Sequence, residues 1–218
     1  MNSVDRPANL YILITMNPRR YDPEGTRQAI LDTAQRIFVE RGVAETPLSV
    51  IAKASGVTKS LIHHHFGSKE ELWTEIKTIA FEPFFNGLLE IIRSDCSHME
   101  AIEATIRHMF AFFEARPEVA RMMTWMRLEN GEVCPDLEYK VTAEGIQRIA
   151  AAQKEGAIRD DVEPANIQLN FIILTTGWFQ LRHIAATWPG MDPEDLDRRF
   201  LNDTMSLFLR GITPVPNP

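Results

Sequence analysis

Residues 46–72 read TPLSVIAKASGVTKSLIHHHFGSKEEL, and this stretch decides the fold. Thr46-Pro47 is a helix-start signal: a hydroxyl for the N-cap, then a proline whose missing N–H costs nothing in the first turn. Leu48, Ile51, Ala52 and Ser55 follow at helical spacing, and Gly56 ends the run. Val57-Thr58 opens a second short helix with Thr58 as N-cap. Ile62 and Phe66 form its i, i+4 inner pair, and Gly67 breaks it. Ser68-Lys69-Glu70-Glu71 has the Ser-x-x-Glu pattern of a capping box, which starts a longer helix. Two short helices joined by a glycine-containing turn make the helix-turn-helix pattern. Its first helix braces on the DNA backbone and its second enters the major groove. Gly56 is expected to take the bend, where a Cβ would hinder it. Ile51, Ala52, Val57, Ile62 and Phe66 are expected to pack the unit.

Upstream, Asp22-Pro23 starts a helix carrying Ile30, Ala34, Ile37 and Phe38 on one face, and Gly42 stops it. Downstream, helical spacing predicts helices near 98–115, 117–128, 136–156, 163–188 and 192–211. Pro117, Pro135, Pro164 and Pro193 stand near the starts, and Gly131 and Gly156 at breaks. No strand alternation persists and no internal repeat is present. The chain is therefore predicted to be all-α, with three parts: an extension over 1–21, a DNA-binding three-helix unit over 22–67, and a larger effector-binding and dimerisation domain over 68–213. Leu10–Thr15 (LYILIT) is too short for a membrane span or a signal core, and Met16 reads as a second plausible start.

Composition is that of a globular chain, 44% hydrophobic and 24% charged. Cys96 and Cys134 make no disulfide framework and no Cys-x-x-Cys pair, which favours a reducing, cytoplasmic location. The net charge of −7 is unevenly spread. Residues 16–73 hold eight Lys/Arg and seven Asp/Glu, a net of +1; residues 74–218 hold fourteen and twenty-two, a net of −8. Bulk charge therefore gives little support to DNA binding, and the motif must carry it.

The run Ile51–Leu72, with the preceding Thr26–Gly42 helix, resembles the tetracycline-repressor (TetR) family in spacing, turn glycine, inner phenylalanine and capping box. The resemblance covers about residues 24–73; the rest of the chain matches in helix number and length only. It implies a dimeric repressor in which residues 58–65, apart from the inward Ile62, face DNA. Thr58, Lys59, Ser60, Leu61, His63 and His64 are then the contact candidates, with Leu61 suited to a thymine methyl and Lys59 to a guanine edge or a phosphate. Lys69 at the next helix start would bind phosphate beside free backbone N–H groups. The family often has Tyr where this chain has His63 and His65. Histidine gains charge on acidification, so operator binding is expected to be stronger at about pH 6 than at about pH 8. Consecutive helical residues point about 100° apart, so His63, His64 and His65 cannot chelate one metal ion.

Residues 165–188 read ANIQLNFIILTTGWFQLRHIAATW, apolar on nearly every face. Such a helix must be buried on more than one side. The last helix shows two stripes, Leu196/Phe200/Thr204/Leu207 and Leu201/Met205/Phe208/Ile212. The two helices suit a four-helix bundle with their symmetry mates, through Phe171, Phe179, Phe200, Leu207 and Phe208, and the family resemblance implies the same interface. A two-sided internal core in a monomer is the alternative. The middle helices carry Met109, Phe112, Phe113, Met122, Trp125 and Met126, which with Trp178 suit either an apolar effector pocket or plain core. Arg127, Glu129, His108 and His183 are candidate polar anchors for an apolar or amphipathic small molecule.

No nucleophile elbow, zinc-binding His-Glu-x-x-His, phosphate loop or dinucleotide fingerprint is present, so no enzyme activity and no cofactor are expected. A helical carrier or sensor without DNA binding would explain the middle helices but not residues 46–72.

Overall fold

The computed structural model describes residues 22–128 and 134–214. The extension over 1–21, Glu129 and Gly131 lie outside the described residues. Among those described the chain is helical with no strand, in the order α1 (Pro23–Arg41), α2 (Leu48–Ser55), α3 (Lys59–Phe66), α4 (Lys69–Arg93), α5 (His98–Ala115), α6 (Pro117–Leu128), α7 (Pro135–Lys154), α8 (Pro164–Ala185) and α9 (Leu196–Ile212).

Most helix ends obey local chemistry. Asp22 accepts from the Gly25 N–H at 3.0 Å and Pro23 opens α1. Thr58 accepts from the Leu61 N–H at 3.2 Å, and Ser68 from the Glu71 N–H at 3.0 Å. The full reciprocal box forms elsewhere, between Ser97 and Glu100 at the start of α5. Thr46 departs from expectation. Its side chain is buried and its hydroxyl donates to the Gly42 carbonyl at 2.7 Å. It therefore closes the α1–α2 loop, and Pro47 takes the N-cap without a side-chain bond. The predicted helix over 192–211 begins only at Leu196. The Asp192 carboxylate accepts from the Glu194 N–H at 3.0 Å and its carbonyl from the Asp195 N–H at 3.1 Å. That Asx-type turn uses both acceptors before helical geometry starts.

Among the described residues the larger of two hydrophobic clusters runs from α1 through to α9, and a smaller one gathers Phe110, Trp178, Ala185 and Leu196. Phe38 meets Trp73 edge-on at 5.4 Å, joining α1 to α4. Phe84, Phe112 and Phe113 form a cluster with centroid separations of 4.8–5.4 Å, joining α4 to α5. α6 is tied to α1: the Trp125 indole N–H donates to the Val39 carbonyl at 3.1 Å, and Arg121 to the Glu40 carbonyl at 3.4 Å. Both cysteines are free thiols, and burial pushes the Cys134 thiol up.

Candidate functional site

Gly56 ends α2 in the left-handed region, φ 71° and ψ 24°, which turns the chain into α3. α3 is held from beneath by Ile62 and Phe66, both buried. Arg27 of α1 lies 4.9 Å over the Phe66 ring and pairs with Glu75 of α4, so α1 and α4 meet under the end of α3. Thr58, Lys59, Ser60, His63 and His64 are exposed on its outer face, and Leu61 is half-buried at its edge. The resulting surface carries a cation, hydroxyls and imidazoles and lacks a carboxylate, the composition that meets base edges and phosphates.

Besides Thr58, whose hydroxyl caps α3, two candidates have prior engagements. The His63 Nδ1 lies 2.6 Å from the Gly67 carbonyl. A carbonyl only accepts, so Nδ1 holds the hydrogen, and in the neutral ring Nε2 presents a lone pair. Lys69 is half-buried and its ammonium donates to the Val43 carbonyl at 3.0 Å, leaving two further donors.

A cavity of about 130 Å³ lies between α4, α5, α6, α7 and α8. It is walled by apolar side chains including Phe84, Leu88, Ile102 and Met109, with a few polar groups among them. Of the expected pocket residues only Met109 lines it. Phe112 and Phe113 are spent on the Phe84 cluster, Met122 and Met126 are fully buried core, and Trp125 reaches α1. Trp178 stacks on Phe200 at 3.9 Å and donates to Asp197 at 2.8 Å. Among the expected anchors, Arg127 lines the cavity and donates to the Thr176 hydroxyl at 3.1 Å. His108 instead faces the Phe84 carbonyl at 3.2 Å, and His183 is exposed. The spacing of apolar residues did not reveal His98, Arg148 and Gln168, which also line the cavity. The one local signal was Gly145 within a helix, where an added Cβ would meet Gln168 Oε1 at 2.5 Å.

The expected interface residues are also redistributed. Phe171 is buried and lines the cavity; Phe179 packs on Phe110 at 5.0 Å; Phe200 is under Trp178; Phe208 meets Phe171 edge-on. Leu207 alone of the five is largely exposed, at 76%. It is joined at the surface by Ile173, Leu174, Leu181 and Ile184 of α8. Together these make an apolar strip of the kind that marks an association site.

An outward recognition helix braced by α1 and α4, on a helical domain with an internal cavity, defines a helix-turn-helix regulator of the ligand-responsive class. The profile of the bacterial regulatory proteins, tetR family, matches residues 30–76, and that of the tetracyclin repressor-like C-terminal domain matches residues 104–203. The chain belongs to the tetR family. It is 27% identical to the HTH-type transcriptional repressor KstR2 of Rhodococcus jostii over 167 residues, 72% of this chain and 79% of that protein. Over 57 residues, 26% of each chain, it is 47% identical to the HTH-type transcriptional regulator AcrR of Shigella flexneri. Among solved structures it shares the fold of the ketosteroid transcriptional regulator KstR2 of Mycobacterium tuberculosis, with TM-score 0.67 and 20% identity over 86% of this chain and 94% of that one. It also shares the fold of AibR in complex with isovaleryl coenzyme A and operator DNA, with TM-score 0.66 and 21% identity over 84% and 97%.

Proposed function

We propose that the protein is a homodimeric transcriptional repressor that holds a palindromic operator through α3 and lets go when a small apolar or amphipathic effector fills the cavity. The observation that carries this reading is the division of α3: Ile62 and Phe66 are buried, while Thr58, Lys59, Ser60, His63 and His64 stand in solvent. The exposed strip on α8 and α9 supports a two-fold pairing that sets two α3 helices one turn of DNA apart. Switching follows from α6. Its Met123 and Arg127 line the cavity, while its Trp125 and Arg121 hold the end of α1. An effector that prefers a shifted α6 also prefers a shifted α1 and α3, and weakens operator affinity by that preference. The position on the DNA serves regulation without turnover. No helix among the described residues is long and apolar enough to cross a membrane, and a cytoplasmic site suits access to DNA.

The test is a fluorescence anisotropy titration with duplexes drawn from around the protein's own gene, at low ionic strength. A specific duplex should bind far more tightly than scrambled DNA, and Lys59→Ala with Ser60→Ala should remove the difference. Equal affinity for all duplexes would sink the operator reading. A reporter fused to the bound promoter should rise when the protein's gene is deleted; a fall would make it an activator.

A further inference from the structure

Three buried side-chain polar atoms among the described residues have no hydrogen-bond partner: His98 Nδ1, Arg148 Nε and Gln168 Oε1. All three side chains line the one cavity described above. Buried polar atoms in folded chains nearly always have partners. Three orphans on side chains of a single, largely apolar wall point to partners that arrive with a guest.

The chemistry of each orphan is set by its neighbours. Gln168 is 5% exposed. Its amide N–H donates to the Thr142 carbonyl at 3.3 Å, which fixes the amide and turns Oε1 to the Gly145 side of α7. Oε1 therefore asks for a donor. The terminal nitrogens of Arg148 donate to the carbonyls of Ile91 and Ile92 in the last turn of α4 and of Ser94 and Cys96 just past it. Its remaining N–H, at Nε, asks for an acceptor, and no carboxylate pairs with it among the described residues. His98 Nε2 lies 3.0 Å from a Glu155 carboxylate oxygen, so that nitrogen donates; Nδ1 is bare in the neutral ring and donates in the imidazolium. The other ionic side chains on the wall are Arg127 and Glu138. Two guanidiniums thus face one carboxylate, inside a chain whose net charge is −7. The cavity favours an anion where the rest of the chain repels one.

Spacing joins the two demands. Gly145, which abuts Gln168, and Arg148 are three residues apart on α7 and so share a face about 5–6 Å apart. We propose that the cavity takes an apolar monocarboxylate with a hydroxyl a few bonds from its acid group. The carboxylate accepts from Arg148 Nε, the hydroxyl donates to Gln168 Oε1, and the hydrocarbon lies among Phe84, Leu88, Ile102, Met109 and Phe171. This rests on the effector reading above and gives that effector its class.

Isothermal titration calorimetry on the full chain separates the terms with four probes of one chain length: β-hydroxydecanoate, decanoate, methyl β-hydroxydecanoate and decylamine. β-Hydroxydecanoate should bind best, with decanoate about tenfold weaker for the lost hydroxyl and the uncharged ester at least about tenfold weaker for the lost anion. Decylamine should not bind. Gln168→Met, which keeps the volume, should erase the preference for the hydroxyl while decanoate affinity stays. Gly145→Ala, which intrudes on Oε1, should weaken β-hydroxydecanoate and its methyl ester and spare decanoate. Equal affinity for acid, ester and amine, no binding by any probe, or an intact hydroxyl preference in Gln168→Met would each overturn the assignment. Operator binding measured on the same preparation keeps the two readings apart: DNA bound tightly by a protein that ignores all four probes removes the guest alone, and loss of DNA binding removes the regulator reading.

Discussion

His63 faces two ways. Its Nδ1–H is spent on the Gly67 carbonyl at 2.6 Å, so the nitrogen left for DNA is Nε2. In the neutral ring that nitrogen offers a lone pair to a phosphate, which is unfavourable; in the imidazolium it offers a donor and a positive charge. His63→Ala, which removes that nitrogen, should weaken operator binding in anisotropy titrations at fixed ionic strength; an unchanged affinity would assign His63 to the Gly67 carbonyl alone. Lys69 is the second residue whose role is divided. Lys69→Ala leaves the Val43 carbonyl still paired with the Thr46 N–H at 3.1 Å, so folding should change little. If the ammonium also reaches phosphate, the variant weakens binding to every sequence and lowers the salt slope by about one. An unchanged slope would assign Lys69 to the loop alone.

At the scale of the element, the bend between α2 and α3 depends on Gly56. An added Cβ there meets nothing within 4 Å, yet φ is +71°. Gly56→Ala should thus cost about 1–2 kcal/mol through backbone strain alone, seen as a lower denaturant midpoint with an unchanged slope. α6 is the second informative element, because one turn of it touches both the cavity and α1. Trp125→Phe keeps an aromatic ring against Gly42 and removes the N–H that binds Val39 at 3.1 Å. It should cost about 1 kcal/mol in stability and weaken the effect of effector on DNA affinity more than it weakens either binding step. The readout is the ratio of operator dissociation constants with and without effector.

For the whole molecule, the strip of Ile173, Leu174, Leu181, Ile184 and Leu207 is the surface that demands a cover. Leu181→Glu with Leu207→Glu places charge on both helices of that strip. Sedimentation velocity should then shift from dimer to monomer, with operator binding lost although α3 is untouched. A dimer that persists would move the interface elsewhere. Acid sensitivity is also a property of the assembled chain. Hydrogen bonds from Ser97 hold the Glu100 carboxyl below its ordinary range. Arg93, Arg159 and Arg198 do the same to Glu144, Asp161 and Asp195. Groups depressed in the folded state stabilise it fully at neutral pH and lose that effect as pH falls through the folded values. The thermal midpoint should therefore hold near neutrality and drop below about pH 4.

What residues 46–72 determined by themselves was the regulator's DNA-facing unit, because its signals act within a turn or two of helix. Thr58 and Ser68 cap, Gly56 bends, and Ile62 with Phe66 defines the inner face, all through neighbours at i+3 or i+4. Helices α5 to α8 were legible for the same reason, since prolines and glycines punctuate them. The tertiary structure alone decided the cavity and the outer face. Apolar side chains carry no address: Phe112, Phe113, Met122 and Met126 suit a pocket by composition and became core by packing. The polar wall is made of meetings across long stretches of chain, Gln168 with Gly145 and Arg148 with the residues around Cys96. Hydrophobic burial is non-directional, so which methionine or phenylalanine ends in a void, and which leucine ends in solvent, is settled only when all the helices have packed.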